Sequence, residues 1–436
     1  VCAGTSFLVR RAALEEIGGF VEAAISEDLA TGMALAARGW ELRYLHEKLS
    51  AGLAAETMLD FVRQRQRWAA GTLQTLRLPQ GPLRLRGLRL GQRLAYLEGT
   101  LHWFDPLPRL VLLLLPLSVG LLGVPPFRFN GEAISSLLLP LWLTLLLSLG
   151  WFNQRSRHAL AADLPSWAQA VPLAATVLAS LAGRFQPFRI TPKHRLSTRG
   201  GIAAALAVPL LVLLLLHGWN LALIGRVISA GAGAGSEWMG AFWGLITLLG
   251  LLLALRACWD PPRPDPSPWL ALRLPARLRA LGTAGQLIER EVEVVALSET
   301  GVQLAGPEGL PGGSRPLSLE LHPGTTDGTT DGTAALPPLP PPLPLSAERP
   351  SPGRLLWDRR DAVALRSLQL WLYSRPGAWP KRQALAEWRT LLALLRSLLT
   401  PPWAAAPERL SLVPQQLAAG RSVAGDRSGR SSASAS

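Results

Sequence analysis

Four long stretches without formal charge constrain this chain more than any other feature. Residues 110–127, 133–153, 202–225 and 238–255 contain no Asp, Glu, Lys or Arg. A helix of about 20 predominantly apolar residues spans the hydrocarbon core of a bilayer, so each is expected to be a membrane span. A fifth uncharged stretch, 164–183, is Ala-rich and carries Pro165, Pro172, Gln169, Ser166 and Ser180. It is expected to lie at the membrane interface instead of crossing. The segment 153–200 holds Arg155, Arg157, Arg184, Arg189, Lys193, Arg195 and Arg199, whereas the flanking connections have one Arg each, Arg128 and Arg226. Positive charge marks the cytoplasmic side. Four spans then leave 1–105, 154–200 and 257–436 all in the cytoplasm.

Composition agrees with that layout. The chain of 436 residues is 49% hydrophobic yet carries a formal net charge of +14, which spans with basic cytoplasmic flanks explain. A basic balance also suits nucleic acid, but no nucleic-acid motif is present, so that class is excluded. Cys2 and Cys258 form neither a disulfide framework nor a metal cluster. The chain opens on Val1 without a signal pattern, and is expected to be the downstream part of a longer protein, inactive alone.

Residues 1–76 read as part of an α/β domain. Strands are expected over 6–9 and 41–45, with helices over 11–17 and 26–37. Ser26 suits an N-cap, and Glu27 and Asp28 suit the positive end of a first helical turn. The run 57–76 is helix-compatible and holds Gln64-Arg65-Gln66-Arg67-Trp68. Positions i, i+3 and i+4 share a helix face, so Gln64, Arg67 and Trp68 point together. An Arg fork matches a phosphate, and a Trp plate matches a sugar or base ring. An ordinary basic surface helix with a core Trp fits the same spacing.

Residues 77–105 interleave Arg84, Arg86, Arg89 and Arg93 with Leu83, Leu85, Leu88, Leu90 and Leu94, as amphipathic interface helices do. After Arg256, β-type segments are expected over 285–288, 291–295 and 301–304. Residues 323–351 repeat Thr-Thr-Asp-Gly and turn Pro-rich, a disordered insert. Residues 354–373 read as strand and loop, 380–399 as an amphipathic helix, and 401–436 as a disordered tail.

Gln64-x-x-Arg67-Trp68 resembles the signature of processive family-2 glycosyltransferases: cellulose, chitin and hyaluronan synthases. Ser26-Glu27-Asp28 resembles the T-E-D motif of cellulose synthases, with Ser for Thr. Phe188-Arg189-Ile190-Thr191-Pro192-Lys193 resembles their F-x-V-T-x-K gating loop, with Ile for Val. Cys2-Ala3-Gly4-Thr5 loosely resembles an F-C-G-S stretch beside the acceptor, and no role for Cys2 follows. The resemblance implies Asp28 as general base beside Glu27, Arg67 on the nucleotide diphosphate, and Gln64 and Trp68 on the acceptor sugar. It also implies Phe188, Ile190, Thr191 and Lys193 as the gate.

Residues 279–305 resemble the start of a PilZ-type cyclic di-GMP sensor. Its D-x-S-x-x-G motif stands here as Ala296-Leu297-Ser298-Glu299-Thr300-Gly301, keeping Ser298 and Gly301 but not the Asp. The paired arginines expected just before Leu274-Pro275 are missing, so tight cyclic di-GMP binding is not expected.

The implied architecture is a multi-domain membrane protein. It comprises the C-terminal part of a GT-A glycosyltransferase domain (1–76), interface helices (77–105) and four spans with an interface helix and a gating loop at 184–200 (106–256). A PilZ-like β-barrel (257–400) and a tail (401–436) follow. The implied reaction polymerises UDP-glucose into β-1,4-glucan and moves it across the bacterial inner membrane. Mg²⁺ or Mn²⁺ is expected on upstream ligands, and a periplasmic accessory subunit is the expected protein partner. Chitin, hyaluronan or mannan synthesis, or a non-catalytic export scaffold, are the alternatives.

Overall fold

The structure, a computed structural model, describes residues 4, 6–45, 52–126, 132, 134–152, 158–185, 191–192, 200–231, 235–262, 267, 269–305, 313–322, 339–348, 353–374, 386–401 and 410–411. Contacts divide the chain into two units, 1–264 with 382–406, and 265–381 with 407–436.

The first unit is helical. It opens with α1 (Arg11–Glu16), α2 (Glu27–Ala37) and α3 (Met58–Thr75). The strands expected over 6–9 and 41–45 form no ladder with any described neighbour, and Ser6 holds a positive φ of 57°. Residues 76–89 form turns, and only α4 (Leu90–Leu101) realises the interface helices expected over 77–105. Pro79, Gly81, Pro82 and Gly87 break the earlier part. A short 3₁₀ turn leads to α5 (Pro106–Leu114) and α6 (Leu117–Leu121). A π-helical turn, Ile134–Leu138, enters α7 (Leu139–Phe152), and α8 (Ala159–Leu181) follows. Strand β1 (Gly201–Ile202) precedes α9 (Ala204–Ser229) and α10 (Ser236–Ala257), and β2 (Trp259–Asp260) pairs antiparallel with β1.

Five helical stretches have the length and apolar composition to cross a membrane: Leu90–Leu121, Ser135–Phe152, Ala162–Leu181, Ala204–Ser229 and Ser236–Ala257. The stretch within α8, expected at the interface, thus qualifies on those grounds as well. Exposure says what these helices need. On α7 the large side chains Leu139, Leu141, Trp142, Leu143, Leu145, Leu146, Leu147, Leu149, Trp151 and Phe152 are all exposed. Leaving each in water forfeits up to about 1.5–3 kcal/mol. Even half that, over the whole helix, rivals the ~5–15 kcal/mol that holds a domain together. Lipid removes the cost. Two buried side chains of α9 bond across the bundle: Asn220 Oδ1 accepts from Gly120 N at 2.9 Å and Leu121 N at 3.1 Å, and its Nδ2 donates to Pro116 O at 3.1 Å. His217 Nε2 lies 2.9 Å from Leu113 O. These two side chains of α9 bond backbone groups on both sides of the break between α5 and α6.

In the second unit, β3 (Leu270–Leu281), β4 (Leu287–Leu297), β5 (Gly301–Leu304), β6 (Arg315–Leu321), β7 (Leu343–Pro344) and β8 (Arg354–Leu356) form one sheet in the order β7-β6-β3-β4-β5-β8. It begins at Leu270, earlier than the sequence pattern indicated. The sheet curls until its ends meet at an antiparallel bridge between Leu345 and Trp357. β7 lies within the stretch expected to be a disordered insert. Helix α11 (Ala362–Ser374) stands where strand and loop were expected. Asp361 Oδ1 accepts from Ala364 N at 2.9 Å and starts it. Ala364, Leu368, Trp371 and Leu372, at helical spacing, close the core with Leu278, Leu297, Leu319, Leu343 and Trp357. Arg277 pairs with Glu291 at 3.0 Å and Arg279 with Glu289 at 2.8 Å across the β3–β4 ladder.

Helix α12 (Glu387–Leu399), expected to follow the barrel within one domain, groups by its contacts with the first unit. Thr390 Oγ1 lies 2.9 Å from His158 Nδ1, and Arg256 Nε donates to Ser397 O at 3.3 Å. Finally β9 (Leu410–Ser411) pairs in parallel with β3, inside the span expected to be a disordered tail.

Candidate active site

The site is built on α3, which begins where the sequence placed it. Thr57 Oγ1 accepts from Asp60 N at 3.1 Å and donates to Asp60 Oδ2 at 2.9 Å. A second carboxylate caps the same end: Asp260 Oδ1 accepts from Met58 N at 3.1 Å. Asp260 follows α10 in the chain, so the start of α3 is fixed to the end of that helix. Sequence reasoning missed it, since the partners lie 202 positions apart.

Helix geometry gives α3 two opposed faces. Val62, Gln66, Ala69 and Leu73 form one. Val62 enters a cluster with Ala168 of α8, Leu206 and Leu210 of α9, and Leu251 and Ala254 of α10. Gln66 Nε2 donates to Pro172 O at 3.2 Å and Thr176 Oγ1 at 3.0 Å, both on α8. Gln64, Arg67, Trp68, Gly71 and Gln74 form the other.

This second face meets the start of α2. Gln74 Oε1 accepts from Ile25 N at 2.9 Å. A Cβ added at Gly71 would stand 2.9 Å from Ser26 N and closer still to Ser26 Oγ. Only glycine permits that approach. Ser26 holds the N-cap position of α2 without the expected capping bond, because its hydroxyl is turned toward α3.

Asp28 lies in the first turn of α2, half-buried, with Oδ1 accepting from Leu29 N at 2.8 Å. Gly4, at φ +68°, brings backbone against its other oxygen; a Cβ there would stand 2.8 Å from Oδ2. Glu27 is exposed, Gln64 and Arg67 are half-buried, and Trp68 is 40% exposed. Arg65 adds a cation to the aromatic plate: its guanidinium carbon lies 5.5 Å from the Trp68 ring centroid and 5.0 Å from that of Phe61. The face carrying Gln64, Arg67 and Trp68 and the helix start carrying Glu27 and Asp28 are therefore stitched together by Gly71 and Gln74. The spacing of Gly71 and Gln74 on that face was visible in the sequence, but not what they touch.

Phe188, Ile190 and Lys193 of the expected gate lie outside the described residues, and Thr191 is half-buried. Among the described residues no three His, Cys, Asp or Glu side chains gather as a metal site. No step below runs through a divalent ion.

In the second unit, Ser298 and Gly301 form the β4–β5 turn. Ser298 is fully buried, its N–H donates to Gly301 O at 2.9 Å, and its carbonyl accepts from Trp357 Nε1 at 2.8 Å. Gly301 is pressed on the Leu355 backbone. Both residues serve the sheet directly.

Residues 1–152 match the family model described as glycosyl transferase family group 2. The chain is, further, a homologue of proteins named cellulose synthase. It is 35% identical over 261 residues to the cellulose synthase catalytic subunit [UDP-forming] of Xanthomonas axonopodis pv. citri, covering 58% of this chain and 35% of that protein. It is 42% identical over 120 residues to cellulose synthase 2 of Novacetimonas hansenii, covering 28% of this chain and 8% of that protein. Against the cellulose synthase 1 catalytic subunit [UDP-forming] of Komagataeibacter xylinus it is 34% identical over 153 residues, covering 34% of this chain and 20% of that protein. The chain thus spans about a third or less of the length of these relatives.

Proposed function

We propose that the chain is part of a membrane-embedded processive glycosyltransferase that polymerises UDP-glucose into β-1,4-glucan and passes the polymer across the bacterial inner membrane. One observation carries the reading. The helix bearing Gln64, Arg67 and Trp68 meets the start of α2 through Gly71 and Gln74 of that same face and is packed into apolar helices on the other.

The chemistry follows from the residue types. The Asp28 carboxylate takes the proton of the acceptor sugar's hydroxyl as its oxygen attacks the anomeric carbon. The new C–O bond forms as the bond to the UDP oxygen breaks, with inversion. Arg67 holds the departing diphosphate through charge-assisted hydrogen bonds. Trp68 stacks on the terminal sugar, Gln64 orients it, and Glu27 borders the base. Asp28 on a helix start and Trp68 on a packed helix give the fixed separation that such a transfer needs.

Mg²⁺ or Mn²⁺ on the diphosphate, and a periplasmic accessory subunit, are part of the proposal on the strength of the motif resemblance alone. The curled sheet supports a PilZ-like domain. Tight cyclic di-GMP binding is not part of the proposal, because the Asp and the arginine pair of the resembled motifs are missing from the sequence. The decisive test is Asp28→Asn in membranes carrying the full-length protein. Glucan synthesis should vanish while UDP binding persists, and synthesis near the wild-type rate would remove Asp28 from the mechanism.

A further inference from the structure

Helix α12 has three sides. Thr390, Leu394 and Ser397 face the protein, where Thr390 meets His158 before α8 and Ser397 meets Arg256 in the last turn of α10. Trp388, Leu391, Leu392, Leu395 and Leu399, spaced i, i+3, i+4, i+7 and i+11, form an apolar stripe. All five are exposed, Trp388 at 60% and Leu399 at 85%. Between these sides, two turns apart on one flank, stand Arg389 and Arg396, both exposed.

We propose that α12 lies in the plane of an anionic bilayer surface, with its apolar stripe in the acyl boundary and its two arginines on lipid phosphates. Two features choose lipid as the occupant. The helix is bonded at Ser397 to Arg256, in the last turn of an apolar helix long enough to cross a membrane, so it sits at the level where that helix would leave the bilayer. The flanking charges have the sign that anionic headgroups attract, and their position between apolar and docked sides is where an in-plane helix meets the headgroups. This inference rests on the membrane reading of the chain.

The test is nitroxide accessibility of the full chain in nanodiscs containing phosphatidylglycerol. Variants are Leu392→Cys, Leu395→Cys and Ala393→Cys in a Cys2→Ser background. Cys258 stays unlabelled, being fully buried. Labels at 392 and 395 should relax several-fold more with oxygen than with a water-soluble nickel complex, and the label at 393 the reverse. Arg389→Gln with Arg396→Gln should shift 392 and 395 toward water in these discs, and not in discs of phosphatidylcholine alone. Nickel dominance at 392 and 395 places the stripe in solvent and overturns the proposal. Low accessibility to both reagents overturns it in favour of a protein partner or a second copy. A label at Phe242→Cys separates the two readings: if it reports lipid while 392 and 395 do not, only the α12 proposal fails.

Discussion

Gly71→Ala offers the sharpest perturbation of the proposed site, because two opposing magnitudes can be set against each other. Replacing a mid-helix glycine by alanine stabilises a helix by about 0.5–1 kcal/mol. Here the new methyl would stand 2.9 Å from Ser26 N and nearer to Ser26 Oγ. Carbon contacts prefer about 3.5–4.0 Å, so the start of α2 must retreat by roughly 0.5–1 Å. Overpacking of this kind costs ~1–3 kcal/mol, and the two effects leave stability lower by at most ~2.5 kcal/mol. The effect on turnover is larger. Asp28 rides on the displaced turn, and a shift near 1 Å in a reacting group lowers rate by about 10²-fold. The assay is incorporation of labelled glucose into insoluble glucan by membranes of the full-length protein, with UDP binding measured in parallel. Synthesis should fall about 10²-fold with UDP binding retained, since Arg67 lies a turn away on an unshifted helix. Ser26→Gly added to Gly71→Ala should restore part of the loss. Gly91→Ala on α4, where a Cβ meets open space, is the control and should be active. Near wild-type synthesis by Gly71→Ala would refute the placement of Asp28 by this contact.

Three further outcomes follow from the same structure. Topology reporters after Gln154 and after Arg195 should appear on one side of the membrane and a reporter after Ser229 on the other; opposite sides for the first two would make α8 a true span. Cys258 is fully buried with its thiol pushed up to about 11 by burial, so thiolate should be scarce below that pH; maleimide labelling of native chain near neutral pH, with Cys2 replaced, would contradict this. Calorimetry of the full chain should show no tight cyclic di-GMP binding: each charge-assisted bond contributes about 1.5–3 kcal/mol, so lacking three costs roughly 10³-fold or more in affinity. Sub-micromolar binding would redirect attention to Arg273, Arg277 and Arg279.

What the sequence disclosed, and what it withheld, divides along physical lines. α3 was legible almost to the residue, because Thr57 caps it and no proline interrupts it. The apolar helices were legible because lipid imposes length and excludes charge. The strands expected near residues 6–9 and 41–45 failed because a strand is a property of a pair, and a local pattern cannot supply the partner. The early start of the sheet at Leu270 was hidden by Arg273, Arg277 and Arg279. Two of these are surface partners of Glu291 and Glu289 on a half-buried strand, not linker residues. α11 was missed although Asp361 and the spacing of Ala364, Leu368 and Leu372 announce it. Within the site, the residue types were readable and the stitching was not. Gly71, Gln74, Gly4 and Asp260 have no chemistry of their own that would single them out.

Under the proposed function, that stitching bears on how transfer and transport stay in register. A processive synthase must deliver each lengthened chain along a fixed line, so its acceptor-binding residues cannot drift relative to the helices that line the route. If the proposed function holds, one helix of this chain, α3, meets both demands. Its Gln64, Arg67 and Trp68 side is held to the carboxylate-bearing turn by Gly71 and Gln74, while Val62 and Gln66 anchor the opposite side to α8, α9 and α10. Asp260, at the foot of α10, locks its start. A change that loosens only the second anchor, such as Gln66→Ala, leaves the chemical groups together but frees them from the apolar helices. Its expected signature is therefore shorter glucan at a nearly unchanged rate of the first transfer, read from product length on gels. A uniform loss of rate with unchanged length would show that Gln66 serves the chemistry and not the register.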